Sequence, residues 1–336
     1  MKKTIQEQVD YLELDKGITF KLISKSNAKK ILTTSSYYYK LTCFRKNFKK
    51  NAKGRYTNVD FATLYDLSVI DENLRKILFK LCVDVEHTLK TQILYDISRD
   101  VNEDGYTITT EFDDYLRNLH ISSNSRNPYI KVQNKTIYPS LDVLDYDYML
   151  SQKYRPGGAA TPTTNLPIWV LMEKMSLGTF CKFLTFYTQK SPIVSTEKFN
   201  YSYYELAEEL LVMTSRIRNA SAHNRPIIMD IGNNNVAKVP QVSSEIRDFY
   251  TNLEITKYKT RQHTINLKML KNVKINDIMS ILVLHNYYVV NPIPRFHRRK
   301  ELKEFSKRLK MNSDLYRNQS HLKKIGELIC DIIERY

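Results

Sequence analysis

Long apolar runs are missing from this sequence. The longest, Ile278–Leu284, is interrupted by Ser280 and ends at His285, far short of the ~20 apolar residues that a membrane-spanning helix needs. Glycine (8) and proline (10) are scarce among 336 residues, which excludes collagen-like and low-complexity classes. The four cysteines, Cys43, Cys82, Cys181 and Cys330, stand far apart, with no CxxC pair and no Cys/His cluster. No zinc site can be assembled from such spacings, and no metal or other cofactor is expected. Cys82, Cys181 and Cys330 lie inside apolar periodic runs, the setting of buried thiols in a reducing compartment. The opening MKKTIQEQVDYLEL starts basic but turns polar and acidic, without the apolar core of a secretion signal. The expectation is a globular, cytoplasmic protein with no membrane association.

Charge is abundant, and its distribution is uneven. Lys plus Arg outnumber Asp plus Glu by 52 to 36, a net charge of +16. Residues 1–57 carry 14 basic and 4 acidic side chains, residues 226–336 carry 20 and 11, and the middle carries 18 and 21. Two basic flanks around a mildly acidic centre suit a folded module whose extensions hold a polyanion; the bland alternative is charge that keeps exposed faces soluble. Between Lys40 and Arg55 there are seven basic residues and no acidic one, with Phe44 and Phe48 interleaved and Tyr37-Tyr38-Tyr39 just before. Rings that stack on unpaired bases and cations that hold phosphates make Lys46, Lys49 and Lys50 candidate RNA contacts. Arg295-Phe296-His297-Arg298-Arg299-Lys300 is a second dense cluster, with Arg295, Arg298 and Arg299 as candidate phosphate contacts that position nucleic acid without reading it.

Periodicity predicts a mainly α protein. Leu74, Ile77, Leu78, Leu81, Cys82, Val85, Leu89 and Ile93 recur at three- and four-residue steps, so Asp71–Ser98 reads as a long helix with one buried stripe. Further helices are expected at Pro167–Leu184, Tyr203–His223, Ile275–Val290, Lys300–Lys310 and His321–Tyr336, and short ones before Asn51. Between residues 100 and 165 the pattern dissolves, and 231–265 is ambiguous, with room for short strands. Trp169, the only tryptophan, stands on an apolar segment and is expected in the core. His87 is expected to be an ordinary helix residue.

One stretch carries chemistry: Arg216-Ile217-Arg218-Asn219-Ala220-Ser221-Ala222-His223-Asn224-Arg225-Pro226. It closes an amphipathic helix, and Pro226 disfavours helical geometry just before it. Asn219 and His223, four apart, share a face, whereas Arg218 and His223 diverge by about 140° on an ideal helix. Either Arg218 wraps back, or His223 lies in a frayed last turn, or a second copy of the helix completes the set. Histidine passes protons near neutral pH, and arginine presents a fork of donors matched to phosphate oxygens. Against this stands a structural histidine and a surface arginine at a helix end, a common chance pairing. Glu86 and Glu173 could face the motif and raise the basicity of His223, or be solvated or lysine-paired.

Arg218-Asn219-Ala220-Ser221-Ala222-His223 resembles the Arg–polar–x–x–x–His motif of HEPN-domain ribonucleases. Tyr37-Tyr38-Tyr39, Leu74-Arg75 with Val85-Glu86, Pro167-Ile168-Trp169-Val170-Leu171-Met172-Glu173 with Gly178, and Arg218-Asn219 to Ala222-His223-Asn224-Arg225 follow the order seen in the Abi-like abortive-infection proteins of the AbiD and AbiF type. The likeness runs from about residue 5 to 230; the lengthened segment around 100–165 departs from it. The resemblance implies a HEPN-like helical bundle at 58–230 with that insertion, flanked by basic helical extensions at 1–57 and 231–336. It implies a homodimeric, metal-independent endoribonuclease toxin of phage defence that leaves 2′,3′-cyclic phosphate ends. His223 would be general acid or base, Arg218 would stabilise the charged phosphorane, and Asn219 would orient His223 or the phosphate. Asn224 and Arg225 would hold flanking backbone, and a small non-coding RNA would restrain the enzyme from the basic flanks. Two other readings stay open: a non-catalytic RNA-binding scaffold, and a DNA-binding regulator, for which no helix-turn-helix spacing stands out.

Overall fold

The computed structural model describes residues 2–122, 131–132, 135–136, 167–190, 201–233 and 235–336. Most of the expected insertion lies outside the described residues. Among those described, the chain is helical: α1 (Ile5–Leu14), α2 (Lys25–Thr34), α3 (Tyr38–Thr42), α4 (Phe61–Arg99), α5 (Thr107–Ser122), α6 (Ile168–Lys174), α7 (Leu177–Lys190), α8 (Tyr201–Ala222), α9 (Ser244–Asn252), α10 (Arg261–Leu270), α11 (Val273–Tyr288), α12 (Pro292–Met311) and α13 (Ser320–Arg335). Two strands of two residues, Lys131–Val132 and Lys135–Thr136, pair antiparallel. No described helix is long and apolar enough to cross a membrane. The chain forms two compact units, one of residues 1–85 and 213–336, the other of 86–212. This division follows packing, whereas the boundaries near 57 and 230 follow charge.

In the first unit, α1 opens on a capping box in which Thr4 and Glu7 satisfy each other's backbone amides. Gly17 follows with φ +73°, where a side chain would meet the Tyr56 carbonyl at 2.8 Å, so only glycine fits. Helix α11 is buried on nearly every side, from Ile275 to His285. A helix apolar all round belongs in a core, and α13 supplies one apolar stripe through Ile325, Leu328, Ile329 and Ile332. Two buried polar constellations tie this unit together.

The first is centred on Asp71 of α4. Its Oδ1 accepts the amides of Ile227 (2.7 Å) and Ile228 (2.8 Å), and its Oδ2 accepts Arg75 Nε at 2.7 Å. Arg75 in turn donates to Asn224 Oδ1, and Lys40 donates to the Asn224 carbonyl at 3.2 Å. Asn47 continues the clamp, giving its amide to the Ile228 carbonyl (3.1 Å) and accepting Gly232 N at 2.8 Å. The second is His285, fully enclosed, with Nδ1 2.6 Å from the Tyr336 hydroxyl and Nε2 3.4 Å from Asp84 Oδ2. Arg298 donates to the same Asp84 oxygen at 2.8 Å.

The second unit is built on aromatic packing. Phe112 of α5 meets Phe183 edge-on at 5.0 Å and lies 5.4 Å from Phe186, both on α7. The Tyr204 hydroxyl donates to Asp96 Oδ2 at 2.5 Å, and burial next to that carboxylate pushes the phenol well above its ordinary range. Contrary to expectation, Trp169 is 49% exposed. It packs through one edge on Tyr106 (6.0 Å) and beside Gly105, where an added Cβ would stand 3.0 Å from the indole.

Two measurements test these constellations. Asp71→Ala leaves Arg75 buried without its carboxylate and two amides without an acceptor; a loss of ~3–5 kcal/mol in urea unfolding is expected, with Asp71→Asn, which keeps an acceptor, losing less. Burial holds His285 below its ordinary value of 6.5, with Arg298 and Arg295 pulling the same way against Asp84. The unfolded imidazole therefore takes a proton at higher pH than the folded one, so stability is lost as pH falls below about 6.5. The melting temperature should drop between pH 7.5 and 5.5, and the drop should shrink in His285→Gln.

Candidate active site

Helix α8 ends on a Schellman motif. Arg225 N reaches the Ala220 carbonyl at 2.7 Å and Asn224 N the Ser221 carbonyl at 3.1 Å, with Asn224 in the left-handed region at φ 55°. Asparagine tolerates this conformation better than most residues. It is thus Asn224, two residues ahead of Pro226, that turns the chain out of the helix. The last helical turn does not fray: His223 N still donates to the Asn219 carbonyl at 3.0 Å.

On this terminus His223 and Asn219 are exposed and Arg218 is half-buried. Arg218 Nη1 donates to Asn219 Oδ1 at 3.3 Å. The guanidinium thereby leans toward the face that Asn219 shares with His223, bridging part of the 140° between the two residues. On the other flank, Arg218 Nε and Ser221 Oγ are buried without a hydrogen-bond partner. The three motif side chains gather at one helix end, with imidazole and guanidinium both available to a ligand.

The remaining candidates separate by what they touch. Asn224 has its side chain and carbonyl committed to Arg75 and Lys40, while Arg225 is exposed. Lys46, Lys49 and Lys50 line a polar groove of about 810 Å³ together with Asn233, Gln319 and His321. Burial, the largest cause, and the charges of Lys324, Lys49 and Lys238 push the His321 imidazole below its ordinary value. Arg298 is bound by Asp84 and by Glu301, each at 2.8 Å, so its charge is already balanced inside the fold. Arg295 donates to Asn286, and Arg299 lies over the Tyr336 ring at 5.7 Å. Glu86 pairs with Lys90 at 2.8 Å, and Glu173 is exposed. All four cysteines are free and buried, and burial pushes the Cys43 thiol up to about 11. Among the described residues no group of three or more His, Cys, Asp or Glu could hold a metal ion.

Sequence reasoning missed Asp71 and Lys40 as neighbours of this helix end. Asp71 and Arg75, four apart, are two charges set beside an apolar stripe, and buried charges are almost always paired. That was the available signal.

No curated protein and no solved structure matches the chain. A family model described as Abi-like protein matches residues 30–229, a span that holds the tyrosine run, α4 and the whole Arg218–His223 motif. The chain belongs to the Abi-like protein family.

Proposed function

We propose that the chain is the toxin of an abortive-infection system, the phage-defence strategy to which membership in this family points: a homodimeric, metal-independent endoribonuclease restrained by a small non-coding RNA. One observation carries the reading. An exposed imidazole and a guanidinium tied to the intervening Asn219 share the end of α8.

The chemistry follows from those groups. An imidazole near neutral pH takes the proton of a ribose 2′-OH while the 2′-oxygen attacks the adjacent phosphorus. The O2′–P bond forms, the P–O5′ bond breaks, and the leaving 5′-oxygen takes up a proton, giving a 2′,3′-cyclic phosphate and a 5′-hydroxyl. Arg218 meets the extra negative charge of the phosphorane with donors already placed, and Asn219 holds that guanidinium in position. A single histidine must serve as base and then acid. Two copies meeting across a two-fold axis would supply two imidazoles, and Ala220 and Ala222 offer little bulk against a second helix end.

The groove with Lys46, Lys49 and Lys50 is where we place the restraining RNA. The three lysines that line one polar groove beside His321 support that placement.

Two experiments test the reading. Purified protein incubated with RNA in EDTA is expected to cut it, leaving 2′,3′-cyclic ends, and Arg218→Ala and His223→Ala are each expected to lose about 10²–10⁴-fold in rate. Binding without cleavage, indifferent to His223→Ala, would instead identify the RNA-binding scaffold. Reversing Lys46, Lys49 and Lys50 to Glu should strip co-purifying RNA and flatten the salt dependence of its binding; unchanged RNA content would move the restraining RNA elsewhere.

A further inference from the structure

A second cavity, of about 740 Å³, opens beside the end of α8. It is walled by the turn before α3 with Tyr37, by Lys40, by the α4 face carrying Tyr65 and Arg75, and by Ser221. Its lining brings three cations, Lys40, Arg75 and Lys76, together with one carboxylate, Glu72. Arg75 is only 4% exposed, and its Nη2 has no hydrogen-bond partner among the described residues. Ser221 Oγ is buried in the same condition. Lys40 spends one of its three donors on the Asn224 carbonyl, and no ion pair reaches it among the described residues.

The carboxylates nearby are already engaged. Asp71 holds Arg75 and two amides, and Glu72 pairs with Lys76 at 2.7 Å. Desolvation first, and then the neighbouring Arg75, push the Lys40 ammonium below its ordinary value, against the pull of Asp71 and Glu72. Buried donors without acceptors, here Arg75 Nη2 and Ser221 Oγ, are costly, and an anion with several acceptor oxygens is a ligand that could satisfy them while the Lys40 ammonium stands alongside. The volume exceeds what one phosphate fills. Tyr37, 62% exposed, adds a ring on which a base can stack.

We propose that this cavity is a nucleotide subsite, taking one nucleotide of a single-stranded RNA with its backbone phosphate on Lys40, Arg75 and Ser221 and its base against Tyr37. The inference rests on RNA being the ligand of the Arg218–His223 site, and adds which part of the chain grips the strand next to the cleaved bond.

The test uses the full chain carrying His223→Ala, so that RNA survives the measurement, and a labelled single-stranded RNA of ten nucleotides read by fluorescence anisotropy across a salt series. Adding Lys40→Met should weaken binding about tenfold and lower the salt slope by about one. Adding Tyr37→Ala should weaken it about tenfold and leave the slope alone. Ser221→Asp, which sets a carboxylate where a donor stands, should weaken binding as much and keeps the proposal open to refutation if Lys40→Met fails to fold. Lys303→Met, an exposed lysine outside the cavity, is the control for loss of charge alone. Unchanged affinity and slope in folded Lys40→Met and Ser221→Asp overturn the subsite, even where protein with His223 intact cuts RNA. Tight binding that depends on this cavity, by a protein that cuts nothing with His223 intact, keeps the subsite and overturns the ribonuclease. Absence of RNA binding in the parent overturns both.

Discussion

A carboxylate with almost no access to water, Asp71, holds the first unit in register. Burial pushes its pKa up, while the amides of Ile228 and Ile227 and the Arg75 guanidinium pull the other way. Taking a carboxylate out of water costs several kcal/mol, a cost tolerable only because its oxygens meet three donors at 2.7–2.8 Å. The consequence is geometric. The segment leaving α8 is pinned to α4, and through Arg75 and Asn224 to Lys40 of α3. A helix end that would otherwise fray is held from three directions, which is what a set of exposed reactive groups needs if their positions are to be reproducible.

Net charge is a poor guide to where a polyanion sits, and the two flanks illustrate why. The C-terminal flank spends much of its charge internally: Arg298 on Asp84 and Glu301, Arg308 on Asp66, Lys310 on Glu334. Such pairs hold α12 against α4 and α13. The stretch from Lys46 to Lys50 has no such partners among the described residues, and its lysines share a groove with His321. Equal arithmetic at the two ends of the chain therefore conceals unequal electrostatics. Pairing decides the matter.

The long helices were legible because their apolar spacing is regular. Every member of the Leu74–Ile93 stripe is buried, and α11, apolar over most of Ile278–Leu284, lies in the core. α4 begins earlier than expected, at Phe61, and the segment read as one helix from Pro167 breaks at Met175, which leaves the helix with ψ 127°. Helix α5 was invisible because, among the described residues, its buried apolar side chains Ile108, Phe112 and Leu116 come about one per turn amid Thr and Asp. In 231–265 the room left for strands is taken by α9 and the start of α10, whose amphipathic spans are too short to stand out from a polar background. The motif itself was legible as a string of residue types. Its setting was not, because Asp71, Arg75, Lys40 and Asn224 meet only through tertiary contacts across as many as 184 positions.

The geometry of α8 finally explains how five residues can serve two purposes. Successive side chains step about 100° around the axis, so Asn219 and His223 look one way while Arg218 and Ser221 start from another. The hydrogen bond from Arg218 to Asn219 draws the guanidinium across the gap, yet its Nε and the Ser221 hydroxyl stay on the far flank. Under the proposed subsite, a strand gripped on that flank would reach the imidazole across the tip of the helix. The left-handed turn at Asn224 carries the chain away from that tip, where a further helical turn would have continued along the axis. On this view Asn224 contributes by where it sends the backbone, and a residue unable to adopt positive φ there would close the path while leaving Arg218 and His223 chemically intact.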